Sequence, residues 1–476
     1  MKSKLLACLL LMGTASYAQS DSVMLRNISD EIMLHGTCYE NLRYLCKKIG
    51  NRLSGTPQAA KAVTWGEKAM TEAGADKVWL QPVDVPFWIR GQEKLAFRYP
   101  GDKSFKEVNV LAIGNTVGTD NKLLEAPVVL VKDIEEFKKL PDDAVKGKII
   151  FFNYRFRQDL VNTFEGYGDA GRYRWLAPNM AAARGAAAVI IRSVSTGVDD
   201  QPHTGSMRYA DTVKPIPAVA IGNTTADLLE KKCKEGYVSA QMQSNCHMAG
   251  TVRSYNVIGE ITGSEHPETY ITVGGHLDSW DVGEGAMDDG AGCVQTIEIV
   301  RTMKALGIRP KHTIRAVLFM NEENGLKGGL AYGDSARAHN EKHMIAIETD
   351  AGGFSPRGFG LDMKESKKET IRSYRHLFLP YGVYDFEHDE GGADISPLHR
   401  MGVPVAGLLP DPQRYFDLHH TRADVFENIN HRELKLCAVS LTGLVYLLDK
   451  YGLGHIDPLS DAPINSNVPH SLKKTN

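Results

Sequence analysis

His276, Asp278, Asp281, Asp288 and Asp289, all able to bind cations or carry protons, lie between Tyr270 and Gly292 in YITVGGHLDSWDVGEGAMDDGAG. An imidazole among several carboxylates can hold a divalent ion, although a lone HxD in a Gly-rich turn is more often a solvated loop. Three later clusters argue against the bland reading. Glu322 and Glu323 stand in NEENG, Glu348 and Asp350 in ETDAGG, and Asp417, His419 and His420 in YFDLHHT. So much gathered negative charge is costly unless cations neutralise it, and a metal site is the economical explanation. A His and carboxylate set without thiolates suits a catalytic zinc with an open position for water, and manganese or cobalt can use the same ligands. One aspartate bridging two ions, with one His and one carboxylate completing each side, makes a hydrolytic centre with ions roughly 3.5–4 Å apart.

The elements that must position these groups are strands. Each cluster follows an apolar run: Tyr270 to Val273, His312 to Met320, Met344 to Ile347 and Val403 to Leu409. In open α/β sheets ligands bind beyond the carboxyl ends of the strands, so four strand ends are expected to share one site. Ala291 to Ala305 reads as a helix covering one sheet face, with Cys293, Ile297 and Val300 at i, i+4 and i+7, and His431 to Tyr451 as another.

HLDSWDVGEGAMDDGAG, NEENG, ETDAGG and HHTRAD resemble, in order and in spacing, the four metal-site motifs of the M28 zinc peptidases. GHLDSWDVG, GAMDDG, IRSV followed by PHTG, and the earlier NRLSGTP extend the likeness to the carboxypeptidase Q (plasma glutamate carboxypeptidase) branch over most of the mature chain. The resemblance implies an α/β zinc exopeptidase fold, a mixed, mostly parallel sheet flanked by helices, with an inserted protease-associated-type domain. It implies two Zn2+ per chain: Asp288 bridges, His276 and Asp350 complete one ion, and Glu323 and His420 complete the other. Spacing alone leaves the choice between His419 and His420 open; the family's HTxxD pattern matches from His420. Glu322 would be the general base, taking a proton from metal-activated water and passing it to the leaving amine. Asp278, two residues from His276 in extended chain, is expected to orient the imidazole through its carboxylate. Asp281 and Asp289 are expected to order their loops, and Asp394 in GGADISP to cap the helix that follows.

The implied substrate is a short peptide, foremost a dipeptide with both termini free, and the implied assembly a homodimer whose inserted domain helps close the site. Pro202 to Gly205, the PHTG loop, is the part of the insert expected to reach the substrate. An aminopeptidase acting on longer peptides is the alternative. Because all five ligand positions and the base are present, a metal-depleted binding module and a one-zinc glutaminyl cyclase are disfavoured.

Met1 to Ala18 reads as a signal peptide, with Lys2 and Lys4, an apolar run and a Ser16-Tyr17-Ala18 cleavage site, so the product is expected to be exported, secreted or periplasmic. No later run approaches ~18 apolar residues, so no membrane span is expected. The net charge of −3 and the lack of a basic stripe argue against a nucleic-acid partner. Cys8 leaves with the signal; the remaining cysteines are scattered without CxxC pairs, and Cys233 and Cys246 can either pair across the Gly236 turn or remain thiols. At 476 residues two domains are expected. The peptidase part takes 19–119 and 251–455, the insert 120–250, and a polar, Pro-rich tail 456–476. Helices are expected over 21–74 with a break at NRLSGTP. Within the insert, short strands are expected to alternate with a helix over 180–185 and long polar loops.

Overall fold

The computed structural model describes residues 21–455; the expected signal peptide and tail lie outside the described residues. The chain begins helical, over 21–35, Cys38–Tyr44 and Leu45–Ile49, breaks, and resumes at Pro57–Glu72. The restart follows from local chemistry. The Thr56 side chain accepts from the Ala59 N–H, and Pro57 occupies the first turn, where its missing donor costs nothing.

Strands, numbered along the chain, build two sheets. The seven-stranded sheet has the order β1 (Lys77–Ile89), β10 (His247–Ile261), β12 (His312–Phe319), β11 (His266–His276), β13 (Lys342–Glu348), β15 (Val405–Pro410), β14 (Pro356–Asp362). Its centre, β12-β11-β13-β15, is parallel; β10 and β14 run antiparallel to it at the flanks, and β1 pairs antiparallel with β10. Ile314, Ala316 and Leu318 of β12 pack with the helices Ala291–Ala305 and His431–Tyr451, while Val317 and Phe319 pack with Tyr332 and Leu398 on the other face. This period of two fills both layers. Each of the larger side chains, Ile314, Leu318, Val317 and Phe319, contributes roughly 1.5–3 kcal/mol on full burial.

The eight-stranded sheet has the order β3 (Lys106–Val108), β2 (Glu93–Arg98), β9 (Ser239–Ser244), β5 (Leu124–Val131), β6 (Ile149–Phe152), β7 (Ala188–Arg192), β8 (Ala218–Ile221), β4 (Leu111–Ala112). Its limits differ from the expected 120–250. Entry and exit strands pair with each other, from Glu93 opposite Ser244 to Arg98 opposite Ser239, so the second sheet starts near Glu93 and ends near Ser244. On the other side of the boundary β1 and β10 pair from Lys77↔Glu260 to Ile89↔His247. Short strands of mixed polarity such as EKLAFR carry no mark of the sheet they join, hence the misplaced limit.

A helix, Thr163–Trp175, occupies chain expected to be polar loop, and a second, Ala177–Ala183, lies close to the expected 180–185. Three glycines and four charges hide the first in the sequence; packing of Phe164 and Tyr167 on Phe416 and the Asn162 side-chain cap on Phe164 N–H stabilise it. The described cysteines form no disulfide, Cys233 and Cys246 included. No described helix is long and apolar enough to cross a membrane.

Candidate metal centre

The carboxyl ends of β11, β12, β13 and β15 bring their loops to one edge. His276 ends β11, and the loop that follows folds back across the strand ends on glycine. A Cβ on Gly292 would stand 1.8 Å from the Thr349 carbonyl oxygen, and one on Gly275 would stand 2.4 Å from an Asp289 oxygen. Asp289 accepts from the His276 and Gly292 N–H groups at 3.0 and 2.9 Å. Asp424 accepts from the N–H groups of Ala286, Met287 and Asp288 at 3.0, 2.6 and 3.1 Å, fixing the backbone that carries Asp288. From the break between the first helices, buried Arg52 donates to the carbonyls of Leu277, Glu284 and Gly285 at 2.6, 2.8 and 2.9 Å. NRLSGTP is thus a clamp on the metal loop as well as a helix break.

The donor atoms fall into two triads. His276 Nε2 lies 3.0 Å from Asp288 Oδ1 and 3.4 Å from Asp350 Oδ1. His420 Nε2 lies 3.1 Å from Asp288 Oδ2 and 3.2 Å from Glu323 Oε2. Two ligands each about 2.0–2.1 Å from one tetrahedral zinc stand about 3.3 Å apart; the donor atoms of His276, Asp288 and Asp350 lie within 4.8 Å of one another, as do those of Asp288, His419 and His420, and Glu323 meets this spacing at His420. Asp288 offers a different oxygen to each. Among the described residues Asp288 Oδ2 and Asp350 Oδ1 have no hydrogen-bond partner, and a cavity of about 10 Å³ is bounded by Asp288, Glu323 and His420. Buried, orphaned carboxylate oxygens facing imidazoles fit divalent cations. Against the effect of burial, Asp350 and Asp288 raise His276 well above the usual imidazole range, so a proton takes the place an ion would fill. Burial lowers His419 and His420 and keeps them neutral, as ligands must be. The two rings stack at 3.4 Å; His419 Nε2 is 3.5 Å from Asp288 Oδ2, but only His420 is also paired with Glu323.

Asp278 acts differently from the expectation. Its carboxylate stands 3.9 Å from His276 Nδ1, and that nitrogen instead faces the Asp278 carbonyl oxygen at 3.0 Å. Strand geometry ends at His276, so the two-residue alternation no longer applies. Asp278 Oδ1 accepts from the N–H groups of Asn321 and Glu322, at 2.6 and 3.0 Å, and so holds the turn that presents Glu322. Glu322 faces a 230 Å³ cavity shared with Tyr167, Arg174, Asp350, Tyr415 and His419. Burial, reinforced by Asp350 and Asp288, pushes its carboxyl up to about 8, and seated cations would pull it back down. Asp281 forms a bidentate pair with Arg90, at 2.7 and 3.0 Å. Asp394 makes no cap: the following helix, Ser396–His399, takes Ile395 at that position, and the buried Asp394 carboxyl lies beside Glu348 without a hydrogen bond among the described residues.

The second sheet's domain forms the outer wall. In the PHTG loop the Thr204 N–H donates to the His420 carbonyl at 3.0 Å, and the Thr204 carbonyl faces His420 Nδ1 at 3.3 Å. With Nε2 turned to the triad, Nδ1 carries the proton and donates to that carbonyl. The same oxygen accepts from Arg174 Nη1 at 2.7 Å, and Arg174 Nη2 donates to the Tyr167 hydroxyl. Arg174 and Tyr167 belong to the helix the sequence concealed, and its only signal was the aromatic and basic content of TFEGYGDAGRYRW.

Residues 256–444 match Peptidase family M28. Carboxypeptidase Q of Xenopus laevis is 33% identical over 423 residues, 88% of each chain. Carboxypeptidase Q of Homo sapiens is 32% identical over 411 residues, 86% of this chain and 84% of that one. Among solved structures, a Peptidase M28 precursor from Shewanella amazonensis superposes with a TM-score of 0.86 at 31% identity, covering 90% of this chain and 97% of that one.

Proposed function

The chain belongs to peptidase family M28, on the carboxypeptidase Q side of it, and from that premise we propose that it is an exported two-zinc exopeptidase hydrolysing short peptides, foremost dipeptides with both termini free. It is a metallopeptidase. The observation that carries the finer reading is Asp288, with one oxygen toward His276 and Asp350 and the other toward His420 and Glu323. Bound zinc would polarise the scissile carbonyl and acidify water at that point. The protein's own residues handle the rest. Glu322, lining the cavity and held at its backbone by Asp278, takes the proton and returns it to the leaving amine. Thr204 fixes the His420 tautomer, and Asp424 and Arg52 hold the Asp288 loop rigid. The cavity of 230 Å³ is smaller than the roughly 300–1,000 Å³ of sites for drug-sized ligands, which favours a substrate of few residues. A homodimer is part of the same reading.

The competing reading, an aminopeptidase on longer peptides, draws support from the carboxylates Glu322 and Asp350 in the cavity, which suit a free amine. A series of one to four residues beyond a fixed N-terminal residue separates the two. Under the dipeptidase reading kcat/KM falls sharply past the dipeptide; equal or better cleavage of tetrapeptides would overturn it.

A further inference from the structure

We infer that Arg174 receives the free C-terminal carboxylate of the substrate and thereby restricts the leaving group to one residue, an assignment that rests on the exopeptidase reading above. Arg174 is 6% exposed yet lines the 230 Å³ cavity together with Glu322, Asp350 and the two histidines, and it is the one Lys or Arg among those lining residues. A buried guanidinium ordinarily has an anionic partner. Arg315 pairs with Glu260 and Glu341, Arg301 with Glu31 and Glu298, and Arg90 with Asp281. Among the described residues no ion pair involves Arg174; its polar contacts are the Thr204 carbonyl, the Tyr167 hydroxyl and His420 Nδ1, none of them anionic. Buried Arg52 also lacks a carboxylate, but it spends Nε, Nη1 and Nη2 on three carbonyls, whereas Arg174 lines the cavity and its Nε has no hydrogen-bond partner among the described residues.

Covalent geometry sets where a carboxylate receptor has to be. In a dipeptide the carboxylate carbon is three bonds, hence under about 4 Å, from the scissile carbonyl carbon. The receptor must therefore border the triads. Arg174 Nη1 is 3.2 Å from His420 Nδ1, one imidazole ring away from the nitrogen that faces Asp288 and Glu323. Each added residue would carry the carboxylate roughly 3.3–3.6 Å further in extended chain. Arg174 cannot follow it, being anchored through Thr204 to His420 and through Tyr167, which stacks on Phe416 at 4.6 Å. Arg357, the one Lys or Arg lining the adjoining 470 Å³ cavity, is already paired with Asp411, and His388 there faces Asp385 at 3.0 Å.

The test compares alanyl-alanine with its C-terminal amide on the zinc-loaded enzyme, for the native protein, Arg174→Gln and Tyr167→Phe. Zinc content and unfolding temperature establish that each variant is folded and loaded. The native enzyme should favour the acid by roughly 10²-fold or more in kcat/KM, since a site built around a charged hydrogen-bond partner rejects the analogue that lacks it. Arg174→Gln should collapse that ratio toward unity, mainly through KM for the acid, and Tyr167→Phe should reduce it in part. Calorimetric titration with D-alanine and D-alaninamide should show the same loss of acid preference in binding alone. If Arg174→Gln lowers acid and amide equally and keeps the ratio, Arg174 merely braces His420 and the assignment fails while the exopeptidase reading stands. A native enzyme indifferent to amidation removes the assignment together with the requirement for a free C-terminus, and leaves the aminopeptidase reading.

Discussion

The two sheets place parallel strand ends side by side and treat them in opposite ways. In the second sheet Arg192 ends β7, and Asn153 and Asn223 stand just beyond the ends of β6 and β8. Arg192 donates to Asn153 Oδ1 at 2.7 Å and to Asn223 Oδ1 at 3.2 Å and pairs with Asp227, while Asn153 donates to Glu230 at 2.8 Å. In the first sheet the corresponding edge carries His276, Glu322, Glu323, Asp350, His419 and His420 around Asp288. Among the described residues none of these carboxylates is paired with a Lys or Arg, and oxygens of Asp278, Asp288 and Asp350 have no hydrogen-bond partner. One edge is closed by a cation of its own chain. The other needs its cations from outside. A strand-end crevice is therefore only a place where chemistry fits; the balance of charge within it decides whether the place is a site.

Breaking that balance should have the largest effect. Replacing Asp288 by Asn removes the shared anion, and both metal content and kcat/KM should collapse, the latter by at least about 10³-fold. Exhaustive chelation of the native protein should do the same reversibly and also lower the unfolding temperature, because an ion bound only to the native state stabilises it. Metal analysis and a melting curve check both; a variant that keeps its metal and activity would dissolve the contrast between the edges. Next in size comes Glu322→Gln, expected to lower turnover by roughly 10²–10⁴-fold with metal content unchanged. Loss of metal in that variant would mean that Glu322 and Glu323 have exchanged roles.

The four strand-end clusters were legible because each couples an apolar run to a burst of ligating residues, as at HTIRAVLFM before NEENG, and no competing signal lies nearby. Asp278 shows where such reading stops. Its spacing from His276 is a strand rule, and the chain leaves strand geometry one residue earlier, so the carboxylate reaches Asn321 and Glu322 instead. Asp394 fails for a similar reason: capping depends on a one-residue register that Ile395 takes. Arg174 was hidden because its helix is specified by aromatic packing on Phe416, distant in sequence, and not by any periodicity of its own. The limits of the second sheet were hidden because β2 and β9 find each other only through pairing. IRSV and PHTG carried more than they displayed: the first holds Arg192, the second the carbonyl that faces His420.

The smallest effect on activity is expected at Arg192, and it sharpens the comparison from the other side. Burial lowers the Arg192 guanidinium's pKa and thus works against its charge, an effect that Asp227 offsets. Arg192 is 5% exposed and Asp227 53% at their side chains, so removing the cation leaves one half-solvated carboxylate that water can serve, plus the buried Asn153 and Asn223 oxygens that it cannot. Arg192→Met should therefore destabilise by about 1–3 kcal/mol, the cost of unsatisfied buried acceptors and not that of a stranded buried charge. Asp227→Asn, which keeps most of the shape and alters a half-exposed partner, should cost under about 1 kcal/mol. Urea unfolding measures both. In neither variant should zinc content or dipeptide kcat/KM change by more than about twofold, since Arg192 balances only its own edge; loss of metal on replacing Arg192 would show that the two edges share one electrostatic balance.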